Sequence, residues 1–558
     1  MTPQPAPTPA SPRAGAPPGD PDAARWSALV VLCFSILVVN LDNTVLNVAL
    51  PTLVRDLHAT STQLQWIVDA YALVFGGLLL VAGSLADRVG RQRTFLAGLL
   101  AFAAGSAWAA FSGSVDVLIA ARASMGVGAA LMMPSTLAII TNLFTDPDER
   151  QQAIGFWAGT SGVGFALGPV VGGLLLSHFW WGSVFLINVP IALLGALCAL
   201  FLVPDSKKAR APAPDVLGAV LSIAGLGLVL WSIIEAPVHG WSSAIVVVPG
   251  AAGLVVLAAF AAWERASTHP MLNLAFFRAR SFSVAVCSIG LGAFGLIGAL
   301  FLLTQFLQFQ LGYSPLAAGV RMLPAAAALA IVAPLSAALD RVVGVKLTTA
   351  AGLLVAAIGL WLTSRASVGV TYAQMVPGMV LIGSGAALVM PTVSGSVMAS
   401  VPRGDTGVGS ATNGTFIQVG GALGVAVIGS LLNTRYQDHM TTALAPYRVP
   451  HGVAETILGS IGGALAVAAR LGGALGALLA HAAHAAFMSG ADLGLRVAAA
   501  VALGGFVLAL VALPTRPAPA VVEGAPGTAP GEAEGTAGVG AAGAQRTGAA
   551  TAGAVPRR

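Results

Sequence analysis

Long apolar segments separated by short polar loops run along most of the chain. A transmembrane helix needs about 20 predominantly apolar residues. By this criterion the pattern predicts fourteen spanning helices. They are predicted at residues 27–50, 64–84, 94–113, 116–143, 152–177, 183–203, 215–235, 243–263, 282–307, 316–338, 346–364, 372–399, 407–432 and 485–513. The chain is therefore expected to be an all-α integral membrane protein.

A further segment, residues 457–480, is also apolar, but Arg470 lies at its centre. A fifteenth spanning helix here would move the C-terminus to the opposite side of the membrane. We therefore predict an interfacial or re-entrant helix within a long outer loop at 433–484, with a spanning helix as the alternative.

The composition agrees with a membrane protein. Hydrophobic residues make up 56% of the chain and charged residues 9%, against roughly 45–50% and about 25% in soluble domains. The net charge of +5 is spread over short loops, so membrane topology explains it better than nucleic-acid binding does. The three cysteines lie in apolar segments, which favours buried thiols over disulfides.

Arginine and lysine distinguish the two sides of the predicted bundle. They concentrate in alternate loops, such as those with Arg88, Arg150 and Arg278, and these loops are expected to face the cytoplasm. Both termini then lie in the cytoplasm. Residues 1–25 and 515–558 contain few bulky apolar side chains, so we predict two disordered cytoplasmic tails.

Two short motifs occur twice. The sequence LMMPS at 131–135 returns as LVMPT at 388–392, and GFALG at 164–168 returns as GGALG at 420–424. Parallel repeats of this kind are typical of transporters that handle substrate between two halves. The repeat predicts two related halves.

The number of predicted helices between equivalent positions sets the domain organisation. It places a six-helix bundle at 26–204, two inserted helices at 205–265 and a second six-helix bundle at 266–514. A weak copy of the charged turn at 83–93 lies at 340–346 in the second half.

The charged turn itself is distinctive. Residues 83–93, GSLADRVGRQR, hold four charges within seven positions between two apolar segments, and residues 41–51 read LDNTVLNVALP in helix 1. In both motifs the chain resembles the major facilitator superfamily, and in particular its branch of drug:proton antiporters with fourteen spans. The resemblance covers residues 26–513.

Two more motifs carry the same resemblance. Helix 4 contains Arg122 in the family's pattern, although Met125 stands where the family usually has glutamine. Helix 5 contains the glycines and proline of the antiporter motif, which exporters carry more often than importers. These residues are Gly164, Gly168, Pro169, Gly172 and Gly173.

The resemblance implies a function. It indicates proton-coupled efflux of hydrophobic or amphipathic drugs or antibiotics by alternating access, with no cofactor and the proton gradient as the energy source. The alternative is a proton symporter that imports a small nutrient such as a sugar or an organic acid. We expect a bacterial cytoplasmic membrane protein that contacts lipid, binds no nucleic acid and is monomeric.

Three charged residues are candidates for proton coupling. Asp42 lies midway along helix 1, where an aspartate costs about 2.5–3.5 kcal/mol to insert, so it should face a cavity or a partner. Because loss of water favours the neutral carboxyl group, such a residue can take up and release a proton. Arg122 stays charged and, since helices 1 and 4 adjoin in the family, is its candidate partner. Asp69 in helix 2 is either a third member or a solvated helix end.

The charged turn is expected to form a cytoplasmic latch that holds the closed conformation. A carboxylate beside flexible glycines can cap a neighbouring helix or pair with arginine. We assign this role to Gly83, Asp87, Arg88, Gly90 and Arg91. The glycines of helix 5 recur every four residues, which permits close approach of another helix, and Pro169 permits a bend.

Polar residues in the apolar spans are candidates for the wall of a substrate cavity. They are Asn47, Trp66, Gln305, Gln308, Asn413 and Gln418. Helices 10 and 13 contain no acidic residue at mid-span, which favours neutral or amphipathic substrates over dications.

Other classes of protein find little support. The sequence has no phosphate-binding G-x-x-x-x-G-K-[ST] motif for an ATP-driven pump, and no H-E-x-x-H or G-x-S-x-G motif for an intramembrane enzyme. His481 and His484 are more typical of an interfacial helix surface than of a metal site. We therefore expect neither enzymatic activity nor a bound metal.

Overall fold

The structure is a computed structural model that describes residues 21–207, 213–267, 270–401 and 406–514. Within these ranges all regular secondary structure is helical. The predicted tails at 1–25 and 515–558 fall almost wholly outside the described residues.

The first part of the chain forms the helices of the predicted first bundle. These helices are α1 Pro21–Leu57, α2 Ser61–Val89, α3 Arg91–Ala110, α4 Val115–Leu143, α5 Pro147–His178, the short α6 Ser183–Leu186 and α7 Asn188–Leu202. Capping residues begin several of them. At the start of α2 the Thr60 side chain accepts a hydrogen bond from the backbone N–H of Gln63. At the start of α5 the Asp146 side chain caps the helix, directly before Pro147.

Two helices follow, and the remaining described helices correspond to the predicted second bundle. The inserted pair is α8 Val216–His239 and α9 Ala244–Ala266. The remaining helices are α10 Arg280–Gln305, which continues as a π-helix over Phe306–Gln310, α11 Pro315–Arg321, α12 Leu323–Ser364, α13 Tyr372–Ala399, α14 Thr406–Leu444, α15 His451–Gly459, α16 Ile461–Leu471 and α17 Gly473–Ala512.

Among the described residues, 13 helical segments are long and apolar enough to cross a membrane. One of them, Pro315–Ser364, has 50 residues and contains α12, which consists of two helices that meet at a kink at Gly344. The kink falls between two of the predicted spans, 316–338 and 346–364. The count of fourteen spans and the bounds of the two halves remain predictions.

The weak copy of the charged turn has a structural counterpart. Gly90 connects α2 to α3 with φ 128°, and Gly344 connects the two parts of α12 with φ 82°. Both values lie in the region that favours glycine. The helices that follow also correspond, because Gly98 on α3 packs against Gly128 and Met132 of α4, and Gly352 packs against Gly385 and Leu388 of α13.

The predicted outer loop at 433–484 is largely helical. Helix α14 continues to Leu444 and α17 already begins at Gly473, so both extend well beyond the predicted spans. Between them, α15 has 9 residues and α16 has 11. A helix of 11 residues is about 16 Å long, which is too short to cross a membrane. The segment 457–480 therefore does not form a fifteenth span.

The two ends of the bundle differ in how closely the halves approach. We call the end that carries Gly90 and Gly344 the motif end, and the opposite end the far end. At the far end a Cβ on Gly173 of α5 would lie 2.6 Å from the Leu316 Cα of α11, and the Gln308 side chain donates a 2.8 Å hydrogen bond to the Val48 carbonyl. The halves therefore touch at the far end.

Towards the motif end the same helices separate. Among the described residues, no heavy atom beyond the adjacent backbone of the same helix lies within 4 Å of the Cβ positions of Gly155, Gly159 and Gly162 on α5, or of Gly395 on α13. This conformation is closed at the far end and, on the side of α5, open between the halves at the motif end.

Candidate functional site

Asp42 lies in the interior of the first bundle, where its side chain is 1% exposed. Its two carboxylate oxygens have different partners. Arg122 of α4 donates to one oxygen at 2.5 Å, and the Asn188 amide of α7 donates to the other at 2.8 Å. Both oxygens are thus satisfied without water, as a buried charge requires.

Helices α2 and α4 enclose the Arg122 side chain. Its Nε donates to the Ile67 carbonyl at 3.1 Å, and its guanidinium carbon lies 4.3 Å from the centroid of the Tyr71 ring. Gly126 of α4 makes this possible, since a Cβ there would lie 2.8 Å from the Tyr71 carbonyl oxygen. The close contact of α2 and α4 fixes the guanidinium towards Asp42.

The structure brings together the predicted pair, Asp42 and Arg122. Asn188 and Tyr71 also belong to the site, although no sequence motif indicated them. Asn188 could have been noticed because it is a polar amide inside the apolar segment 183–203. A buried amide side chain requires a hydrogen-bond partner.

Asp69 is 0% exposed, so it is not a solvated helix end. Both of its carboxylate oxygens are buried without a hydrogen-bond partner among the described residues. Helical spacing places Asp69 on the same side of α2 as Gln65 and Gly76, which contact α14 at Ser430 and Gln418. Asp69 therefore lies at the contact between the two halves, separate from the Asp42–Arg122 pair.

The predicted latch residues form a compact turn at the motif end. Arg91 makes two hydrogen bonds to one Asp87 oxygen, at 3.0 and 2.8 Å, and a third to the Ala138 carbonyl of α4 at 3.0 Å. Gly83 lies beside Pro134 of α4, while Arg88 is exposed. In this open conformation these contacts of Arg91 and Gly83 are all with residues of the first half.

The glycines of the predicted antiporter motif pack α5 against α1. A Cβ on Gly164 would lie 3.0 Å from the Leu37 carbonyl oxygen, and one on Gly168 would contact the Thr44 side chain. At Gly172 it would lie 3.0 Å from a Val45 methyl carbon. Because Thr44 follows Asp42 by two residues, this contact connects α5 to the helix that carries the ion pair.

An apolar recess lies between the halves beside this contact. Its wall is formed by Thr44, Asn47, Phe165, Pro169, Leu296, Leu300, Thr304, Met322, Ala325, Ala326, Leu329 and Gly383. These residues come from α1, α5, α10, α12, α13 and the turn before α12. The lining includes no charged side chain, so the recess suits an apolar ligand.

Of the six predicted cavity residues, Asn47 lines this recess, and the other five lie elsewhere. Trp66 faces α8, with its indole 3.4 Å from the Glu235 carboxylate. Gln305 donates to the Phe301 carbonyl of its own helix. Gln308 closes the far end, Asn413 pairs with Ser394, and Gln418 packs against Gly76.

Histidine and acidic residues do not form a metal site in the described part of the chain, where no group of three or more candidate ligands is found. His484 instead contacts the Gln310 side chain at 2.9 Å. His484 thus lies on the surface of α17 that faces the end of the π-helix, and His481 is exposed.

Comparison with known proteins decides the family. The family model described as Major Facilitator Superfamily matches residues 32–425. The chain belongs to the major facilitator superfamily. The prediction from the sequence motifs is confirmed, and the chain is a multi-pass membrane protein of a transporter family.

Relatives of this superfamily match nearly the whole chain. The multidrug efflux pump LfrA of Mycolicibacterium smegmatis is 37% identical over 483 residues, which are 85% of this chain and 94% of the relative. The tetracenomycin C resistance and export protein of Streptomyces glaucescens is 35% identical, over 88% of this chain and 92% of the relative.

The fold also matches solved transporters. A bacterial homologue of the human lysosomal transporter Spinster, in an inward-facing and occupied conformation, aligns with a TM-score of 0.60 at 17% identity. The alignment covers 89% of this chain and 98% of that structure. At this identity the match establishes the shared fold alone.

Proposed function

We propose that this protein exports hydrophobic or amphipathic drugs or antibiotics across the bacterial cytoplasmic membrane in exchange for protons. Export is supported by two relatives, one named as a multidrug efflux pump and the other as a resistance and export protein. The observation that carries the coupling is the buried Asp42–Arg122 pair, whose Asp42 lies on α1 two residues from the recess residue Thr44.

The two ends of the bundle fit alternating access. The arginine-rich turn is at the motif end, so the positive-inside rule places this end, and both termini, in the cytoplasm. The open motif end then makes this the inward-facing conformation. In the opposite conformation the latch residues would close the motif end, and the far-end contacts of Gly173 and Gln308 would separate.

Protonation of Asp42 would change the forces on α1. When a proton binds the oxygen that faces Arg122, the carboxyl group becomes neutral and the charge attraction to the guanidinium is lost. Arg122 keeps its charge and its bond to the Ile67 carbonyl. Since Gly168 packs directly on Thr44, a shift of α1 would reach α5 and the wall of the recess.

The proton gradient supplies the energy in this scheme, without a cofactor. Asp69 is a second candidate for proton exchange, because its carboxyl group is buried at the contact of α2 with α14, which must change when the halves rock. We propose that the protein works as a monomer in contact with membrane lipid.

The recess supports neutral or amphipathic substrates. Its polar groups are confined to Thr44, Asn47 and Thr304, and the remaining lining is apolar. Burial of apolar ligand surface there would contribute about 25 cal/mol per Å². A sugar importer, the predicted alternative, would need more hydrogen-bonding groups at this place.

The test is substrate-driven proton movement in proteoliposomes. A pH-sensitive dye inside the vesicles reports protons while a panel of neutral and cationic amphiphiles is added. We expect proton movement opposite to the drug with the wild type and none with Asp42→Asn. Asp116→Asn, which changes an exposed carboxylate of α4, is the matched control and should behave as wild type. Retained coupling in Asp42→Asn would overturn the mechanism.

A further inference from the structure

The inserted helix α8 covers one of the two lines along which the halves meet. We call the line between α2 and α14 the closed seam, and the line between α5 and α12 the open seam. If the protein exports apolar compounds as proposed above, they need a route to the recess. We propose that amphipathic substrates reach it sideways from the lipid leaflet at the motif end, through the open seam only.

The closed seam is in contact over most of its length. Near the far end the Asn433 amide donates to the Thr62 hydroxyl at 3.4 Å. Further along, the Thr415 hydroxyl donates to the Gly76 carbonyl at 3.0 Å, and a Cβ on Gly414 would lie 2.6 Å from a Leu79 methyl carbon. These contacts extend over five turns of α2.

Helix α8 lies over this seam and touches both halves. On α2, a Cβ on Gly77 would contact Ile223, and the Trp66 ring lies 5.9 Å from the Trp231 ring. On α14, the Ser430 hydroxyl donates to the Ile233 carbonyl at 2.6 Å. Apolar side chains of α8 also pack against α14 in one buried cluster, which contains Leu230, Ile234, Ala422 and Ala426.

None of the described helices covers the motif-end part of the open seam. Gly155, Gly162 and Gly173 share one side of α5, because 7 and 11 residues are close to whole numbers of helical turns. Gly173 touches α11, whereas no described heavy atom from another helix lies within 4 Å of the Cβ positions of Gly155 and Gly162. The helices therefore diverge from the far end towards the motif end.

This gap leads to the apolar recess. Phe165 and Pro169, which follow Gly162 on the same side of α5, form its wall with Leu329 of α12. Outside the gap both helices present apolar side chains, with Val163 52% exposed on α5 and Ile331 66% exposed on α12. A compound dissolved in the leaflet could therefore reach the recess without first entering water.

The first experiment locates lipid and water at each seam by cysteine labelling. Cys33, Cys198 and Cys287 are replaced by serine, and single cysteines are then introduced as Gly162→Cys at the open seam, Ser430→Cys at the closed seam and Gly504→Cys on the outer surface of α17. The probes are a maleimide on a phospholipid acyl chain and a charged, water-soluble maleimide.

Gly504→Cys calibrates the lipid probe, since its Cβ position is free of neighbours on an exposed surface. We expect the lipid probe to label Gly162→Cys and to leave Ser430→Cys unlabelled. Labelling of Gly162→Cys by the water-soluble probe alone would overturn the lateral route. Equal lipid labelling at Ser430→Cys would overturn the role of α8.

The second experiment obstructs the route. Gly155→Trp places a large side chain in the open seam, and Gly504→Trp is the matched control, because both glycines lie in exposed, uncrowded helix positions. Gly155→Trp should reduce transport of a membrane-soluble amphiphile severalfold, while Gly504→Trp should not. Transport at the wild-type rate by Gly155→Trp would contradict the route. An inactive wild type would instead contradict the proposed function, and the labelling result would still decide whether lipid reaches the seam.

Discussion

The Asp42 carboxylate and the Arg122 guanidinium form an ion pair 2.5 Å apart in the interior of the first bundle, with both side chains 1% exposed. Four helices form this site, since the pair joins α1 to α4, Asn188 of α7 donates to the carboxylate, and Ile67 of α2 accepts from the guanidinium. Loss of one partner would leave the other as an isolated buried charge.

Replacement of Arg122 by alanine should therefore destabilise the protein more than replacement of an exposed arginine. Breaking a buried pair costs about 3–5 kcal/mol. The measurement is the free energy of unfolding in detergent. Arg470→Ala, at an exposed position of α16, is the control and should change it by less than about 0.5 kcal/mol.

The double variant Asp42→Asn/Arg122→Gln separates stability from function. Two neutral amides remove both buried charges, so the double variant should recover part of the stability that Arg122→Ala loses, yet remain inactive in the proton assay. If the double variant is less stable than Arg122→Ala, the cost does not come from the isolated Asp42 charge.

Asp69→Asn is expected to leave stability unchanged or to raise it. The carboxyl group lies at 0% exposure without a hydrogen-bond partner among the described residues, and a neutral amide of the same shape avoids the cost of burying a charge there. Thermal unfolding in detergent measures this, with Asp116→Asn as the exposed control.

If Asp69 also exchanges protons during transport, Asp69→Asn must alter the pH dependence of substrate-driven proton movement. A profile from pH 5 to pH 9 that superimposes on that of the wild type would limit Asp69 to a structural role.

Gly168→Ala should disturb the contact of α5 with α1. The added methyl group would collide with the Thr44 side chain, and overpacking of this kind costs about 1–3 kcal/mol. Gly159→Ala, on an open side of the same helix, is the matched control and should be neutral or slightly stabilising. Unfolding in detergent checks both variants, and equal effects of the two would contradict the close packing at Gly168.

Gly344→Ala and Gly90→Ala should destabilise the protein to similar degrees. Their φ values of 82° and 128° are unfavourable for a residue with a Cβ, at about 1–3 kcal/mol each. Gly395→Ala lies in an open helical position, so there the alanine should stabilise by up to about 1 kcal/mol. A stabilising effect of Gly344→Ala would show that α12 is not divided by a strained turn in solution.

The sequence could predict features that depend on local chemistry. The lengths of apolar segments predicted most of the spanning helices. The motif at 83–93 predicted a turn, with a weak copy at 340–346, and the structure has positive φ at Gly90 and Gly344 within these two segments. Asp42 and Arg122 could be singled out because a charge inside an apolar helix requires a partner wherever the helix packs.

The features that depend on neighbouring helices could not be predicted. The cavity residues illustrate this, because a polar residue in a span can face the recess, as Asn47 does, or another helix, as Trp66 does. Asp69 likewise was expected near an interface with solvent and is fully buried against the second half. One helix sequence does not reveal which side another helix will cover.

The sequence by itself thus determined the membrane class, the repeated helical plan and the buried charges, since these follow from segment length, glycine positions and the cost of charge in lipid. Only the tertiary structure decided that Asn188 completes the Asp42 site, that the far end is closed, and that α8 covers one seam. These depend on the rotation and crossing of whole helices, which side-chain packing between distant parts of the chain determines.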